Sequence, residues 1–294
     1  MTSVFEFLAT MDRRIWHAFT FIIVIVLLLF PLGLPLAISA ETQVSYNIVH
    51  ALKPGDIVMI NYNIAAFGWD ELKGQVLSVV PHVMSQPGVK VIFLTDMDQG
   101  MIYIEQTLAA YGKLMEGKTS APWYDVFGKK YLQDYVVLGY FPGATSAWAA
   151  MAVDFRKGAG TVDWYKNDIT PFYNAIGIKT GQDVDLAISF DCTGGADNFR
   201  NHFFPVFGTP IIAGEIGVNV PGAINNYNAG QYKGIIKSTR GGAEYQYISG
   251  FKGKALLSMD AYSAIHVYLI LLIVLGNIGY FGWERTRVKK GGTA

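Results

Sequence analysis

The sequence contains a single cysteine, Cys192, so no disulfide can form within the chain and its core must hold without a covalent staple. It has no G-x-G-x-x-G run and no Walker lysine–serine pair, which removes the two glycine-loop signatures of nucleotide binding. Its five histidines, at 17, 50, 82, 202 and 266, are scattered with no spacing of the H-E-x-x-H kind, so no metal centre and no cofactor is expected. Charge is scarce at 16% of residues. Between residues 41 and 261, 17 Lys and Arg face 20 Asp and Glu. That balance leaves no basic footprint for nucleic acid. Internal repeats and low-complexity tracts are also lacking.

What is abundant is apolar sequence, 51% of the chain. Two runs without charge, residues 15–39 and 262–283, account for the excess, and each is long enough to cross a hydrocarbon core of about 30 Å. The first is too long for the apolar part of a cleaved signal and reads as a signal anchor, with Pro31 and Pro35 kinking or ending its helix near the outer side. Arg13 and Arg14 precede the first run, and Arg285, Arg287, Lys289 and Lys290 follow the second. The inner flanks offer Lys53, Lys252 and Lys254. This asymmetry predicts a two-pass protein of the cell membrane. It comprises a cytoplasmic N-terminus (1–14), a first span (15–39), an extracytoplasmic domain (41–261), a second span (262–283) and a basic cytoplasmic tail (284–294).

In the middle region, apolar runs bounded by turn residues alternate with helix-length periodic segments. Strands are expected within 54–63, 87–98, 134–143, 183–192, 210–220 and 233–239, with helices between them and Pro81 breaking or bending the helix of 70–86. Non-alternating apolar strands separated by helices define an α/β fold, a mostly parallel, Rossmann-like doubly wound sheet, flanked here by an N-terminal and a C-terminal transmembrane helix.

Such sheets bind ligands beyond the carboxyl ends of their strands. The candidates there are Asn61, Asp96, Asp98, Asp191, Thr193, Gly194, Gly195, Glu215 and Arg240. The stretch "SFDCTGGADNFRN" (189–201) carries four of them. It reads either as an anion-binding turn, with glycine N–H groups at a helix start, or as a turn that needs Gly and a capping Asp whatever the function. The carboxylates Asp96, Asp98, Asp191 and Glu215 either share a divalent metal or are solvated strand ends, and their lack of ligand spacing favours the second. Cys192 has no histidine near it in sequence and reads as a buried thiol. In the second span, Gly276, Asn277 and Gly279 predict a helix–helix contact, because an amide in lipid needs a partner and small neighbours let one approach.

The stretch "YFPGATSAWAAMAVD" (140–154) resembles the nucleophile turn of signal-peptide-peptidase-like serine peptidases. That resemblance implies Ser146 as nucleophile and a lysine base, for which no residue here stands out. With "GGAEY" (241–245) and "LGNIGYF" (275–281), the whole chain is similar to a family of prokaryotic membrane-anchored proteins with a Rossmann-like domain. This likeness implies fold and membrane attachment, and no chemistry. The aromatic load is high at 14%, with clusters at 121–131, 162–173 and 243–251. These either pack the domain or form an interface, where Tyr and Trp are favoured. The expected role is a non-enzymatic binding or assembly subunit that contacts membrane lipid and itself or another membrane protein. The alternative is a membrane-bound hydrolase or small-molecule-binding domain acting at the strand ends.

Overall fold

A computed structural model describes residues 4–30, 32–142 and 145–289. The chain divides into two compact units, Leu36–Leu256 and a second made of Met1–Pro35 with Leu257–Ala294.

In the first unit the apolar runs form six strands: β1 (Ile57–Asn63), β2 (Lys90–Thr95), β3 (Tyr135–Tyr140), β4 (Leu186–Asp191), β5 (Ile211–Glu215) and β6 (Gly234–Lys237). All pair in parallel, in the order β3-β2-β1-β4-β5-β6. The chain winds outward from β1 to one edge, then restarts beside β1 and winds to the other, which is the doubly wound order. Alternate residues feed two cores because successive side chains leave opposite faces. Val58, Ile60, Tyr62, Phe93, Ile188 and Phe190 face one side. There they meet α2 (Ala40–His50), α3 (Ala66–Ser85), α4 (Gly100–Tyr111) and α8 (Ser238–Ser249). Ile57, Met59, Ile92, Leu94, Ala187 and Ile211 face the other, under α5 (Thr145–Val153), α6 (Ala196–His202) and α7 (Val220–Asn228).

Pro81 does not break its helix, which runs unbroken from Ala66 to Ser85. Proline lacks the N–H that would bond the carbonyl four residues back. That carbonyl belongs to Leu77 and is taken by the Tyr111 hydroxyl, 2.5 Å away. The "GGAEY" segment has a similar physical content. A Cβ on Gly242 would stand 2.9 Å from the Gln75 nitrogen, and one on Gly241 3.0 Å from the Ile236 carbonyl carbon, so only glycines let α8 lie this close to α3 and β6. Glu244 is buried and accepts hydrogen bonds from the Ser39 N–H and hydroxyl. Tyr245, also buried, meets His82 Nδ1 at 2.9 Å.

The aromatic clusters are largely internal. Tyr131, Tyr135, Phe172, Tyr173 and Tyr245 are all at most 1% exposed, so most of this load fills the two cores, while Phe127, Trp164 and Tyr247 remain exposed. Residues 113–130, outside the six expected strands, hold a small antiparallel sheet of Lys113–Leu114, Tyr124–Val126 and Lys129–Lys130.

In the second unit, α1 (Arg13–Leu29) stops ten residues before the expected end at residue 39. Its 17 residues span about 25 Å at 1.5 Å each, short of a ~30 Å core. Phe30 has left the helical region, as a residue before proline does; Pro31 itself lies outside the described residues. The N–H groups of Gly33 and Leu34 then donate to Asp260 at 2.6 and 2.9 Å. The last helix, α9 (Lys254–Lys289), contains the one helix among the described residues that is long and apolar enough to cross a membrane, Lys254–Arg285. The tail from Lys290 lies outside the described residues. The expectation of two membrane-length helices is thereby corrected to one by length and composition.

Candidate functional site at the carboxyl ends of the strands

Register gathers the polar strand ends into one row. Asn63 pairs with Asp191 across β1 and β4, and Asp191 with Glu215 across β4 and β5, while Asn61 pairs with Ser189 one step below. Residues paired this way in a parallel sheet share a face. Asp96, just past β2, closes the row: its Oδ1 accepts from Asn61 Nδ2 at 3.1 Å and Asn63 Nδ2 at 2.9 Å, and its Oδ2 from Asn198 Nδ2 at 2.7 Å. Asn63 Oδ1 in turn accepts from the Thr193 N–H and hydroxyl, at 3.0 and 2.7 Å.

Asp191 settles how the glycine turn is used. Its Oδ1 accepts the N–H groups of Thr193 (2.8 Å) and Gly194 (2.5 Å), and its Oδ2 that of Ala196 (2.5 Å). The N–H groups that an incoming anion would need already hold the protein's own carboxylate. Burial pushes the Asp191 carboxyl up, and the backbone donors pull against it. Gly195 is required by packing, since a Cβ there would lie 2.5 Å from Asn63 Cβ. Gly194 is required by its φ of +106°, which side chains disfavour. Cys192 is buried, accepts the Ala65 N–H at 3.3 Å, and has its thiol pushed up by burial, which keeps it un-ionised and inert.

Glu215 is the exception in the row. It is 5% exposed, and its Oε2 has no hydrogen-bond partner among the described residues. Burial, and then the Asp191 charge, pushes its carboxyl up to about 9, so it is a neutral acid at pH 7. Two expected members stand apart. Asp98 is exposed and accepts the Gln99 N–H, while Arg240 is exposed on α8 and pairs with Glu244 at 3.0 Å.

A second group, on the α3 side, escaped the sequence reading. Ser238 Oγ donates to Glu71 Oε2 at 2.5 Å, and the Gly217 N–H donates to the same oxygen at 2.8 Å. Gln75 Nε2 donates to the Glu215 and Ser238 carbonyls at 3.1 and 3.0 Å. Glu71 and Gln75 lie four residues apart on one face of α3, a spacing that any helix carries, so no local signal marks them. Ser146, by contrast, is exposed near the start of α5, and residues 143–144 before it lie outside the described residues.

Among the described residues, no group of three His, Cys, Asp or Glu is placed to hold a metal ion. In the second unit, Gly276 lines a cavity of about 250 Å³ with Leu8, Trp16, His17, Leu272 and Leu275. Gly279 is buried, whereas Asn277 is exposed. Comparison with family models, with curated proteins and with solved structures returned no significant match.

Proposed function

We propose that the chain is a membrane-anchored, non-enzymatic binding or assembly subunit, contacting lipid and itself or another membrane protein through its apolar helices. The observation that carries this reading is Asn277. It lies on the exposed surface of the membrane-length helix α9, beside Gly276, where lipid offers an amide no hydrogen-bond partner and a second helix does. The strand-end row supports the non-enzymatic part, because, Glu215 apart, its side chains and turn N–H groups are engaged with one another. Asn277→Leu should weaken the assembly by about 0.6–2 kcal/mol, the range for interhelical hydrogen bonds, read from detergent titration of the purified oligomer. Equal survival of Asn277→Leu, Gly276→Leu and the parent would mean that this face meets lipid alone.

The proposal includes two membrane passes, with both termini in the cytoplasm and the α/β unit outside. The Lys and Arg asymmetry supports it, with α1 crossing together with the residues that follow it. In a Cys192→Ser background, an impermeant thiol reagent applied to intact cells should label Thr119→Cys, at an exposed site, and leave Thr293→Cys unlabelled. The reverse pattern would invert the topology.

A second reading, a hydrolase working at the strand ends, is favoured by one specific observation, the Ser238–Glu71 pair at the end of β6.

A further inference from the structure

We propose that Ser238 is a nucleophile with Glu71 as its base, making the end of β6 an acyl-transfer site for an ester or amide carbonyl. This rests on the hydrolase reading, the alternative to the non-enzymatic one, and names its residues, its chemistry and its substrate class.

Strand β6 ends at Lys237 and helix α8 begins at Ser238 with no loop between them. Ser238 makes the corner at a φ of +52°, where a side chain is disfavoured and glycine is the ordinary occupant. A sharp strand-to-helix corner is also the device by which hydrolases lift a serine hydroxyl off the end of a sheet. The corner is clamped from behind, since the Ser238 carbonyl is held by Gln75 and the next turn of α8 lies close on α3 and β6 through Gly241 and Gly242.

The base is fixed as well. Glu71 Oε2 receives the Ser238 hydroxyl and is anchored by the Gly217 N–H. The neighbouring cations are engaged elsewhere, Lys237 with Glu41 at 3.2 Å and Arg240 with Glu244 at 3.0 Å, so the carboxylate is the group placed to take the proton. Access is open on one side. Ser238 and Glu71 are half-buried, Gly217 and Val218 are exposed, and a Cβ at position 217 would lie 3.6 Å from Ser238 Oγ. The missing side chain therefore leaves the approach to the hydroxyl free. Beyond the serine, α8 starts without a side-chain cap, and the first N–H groups of a helix, which lack partners within it, are the donors an oxyanion would use.

The step balances without any further reagent than water. Ser238 Oγ forms a bond to the carbonyl carbon as its proton passes to Glu71 Oε2 and the carbonyl electron pair moves to oxygen. Collapse breaks the bond to the leaving alkoxide or amine, which takes the proton from Glu71. Water then attacks the acyl-serine, giving a proton to Glu71, and Ser238 Oγ leaves with that proton, releasing a carboxylic acid.

The test uses the full chain in detergent micelles with a fluorophosphonate probe and p-nitrophenyl butyrate. The parent should take up one probe per chain at Ser238, located by peptide mass spectrometry. Ser238→Gly, which removes the nucleophile and suits the positive φ, should lose labelling and ester hydrolysis while keeping a native near-ultraviolet spectrum. Glu71→Gln, which retains an acceptor for the Gly217 N–H, should slow labelling about 10²-fold or more. Gly217→Val should slow it by obstruction. Labelling of another residue, with hydrolysis unchanged in Ser238→Gly, would remove the Ser238 site and leave the hydrolase reading standing. A folded parent that neither labels nor hydrolyses the ester faster than Ser238→Gly would overturn both. Unchanged labelling in Glu71→Gln would overturn the base.

Discussion

Asp191→Ala should lower the unfolding free energy of the protein by about 3–5 kcal/mol, the cost of leaving three buried backbone donors without an acceptor. The carboxylate is buried completely and organises the turn from Thr193 to Ala196 through three hydrogen bonds of 2.5–2.8 Å. Alanine leaves those N–H groups without an acceptor in a site closed to water, and each orphaned donor costs about 1–3 kcal/mol. Asp191→Asn should lose less. Its carbonyl oxygen can still serve Thr193 and Gly194, but its amide would point a donor at the Ala196 N–H. Urea unfolding followed by tryptophan fluorescence measures both variants, with Trp148, fully buried among Phe199 and Phe203, as the reporter. An alanine variant within 1 kcal/mol of the parent would mean that water or a solution anion replaces the carboxylate, and the turn would then be an anion site after all.

The six strands were legible because each is a non-alternating apolar run closed by turn residues, and a buried parallel strand has no other appearance. Their order was not legible, since pairing is set by contacts between segments far apart in sequence. The strand-end set was therefore found as a list and not as a network. Asn61, Asp96, Asp191, Thr193, Gly195 and Glu215 do converge, but Asn198 joins them only because α6, packed on β4 and β5, carries it to Asp96, and Asp98 and Arg240 fall outside because their side chains point to solvent. Long-range partners explain the other differences. Pro81 looks like a helix breaker until Tyr111 arrives to take the Leu77 carbonyl. The tyrosines read as either packing or interface residues because their hydroxyl partners are distant: Tyr131 finds Asp163, and Tyr245 finds His82. The strands within 113–130 are two or three residues long, too short to show a period at all. Ser238 carries its signal in a backbone angle, which composition does not record.

Glu215→Gln should flatten the pH dependence of stability and make the protein more stable than its parent at pH 8. The folded carboxyl sits at about 9 against an ordinary 4.5, raised by burial first and by the Asp191 charge second. Between those two values the folded chain binds a proton that the unfolded chain has released, so stability falls with rising pH. The contribution is whole below about 4.5 and is lost as pH climbs through 9. One pH unit in that window corresponds to at most about 1.4 kcal/mol, so the parent should lose up to about 4 kcal/mol from Glu215 between pH 5 and pH 8. Glutamine keeps the shape and the backbone carbonyl that Gln75 holds, and it has no charge to form. His82 works in the opposite sense. Burial and then His50 hold it down at about 4, so its contribution is lost as pH falls from 6.5. Subtracting the Glu215→Gln curve from that of the parent removes this histidine and every other common titration. What remains should be a difference near zero at pH 4.5 that grows in favour of the variant up to pH 9. Parallel curves across that range would show that Glu215 is ionised in the folded protein, with a cation or water reaching Oε2.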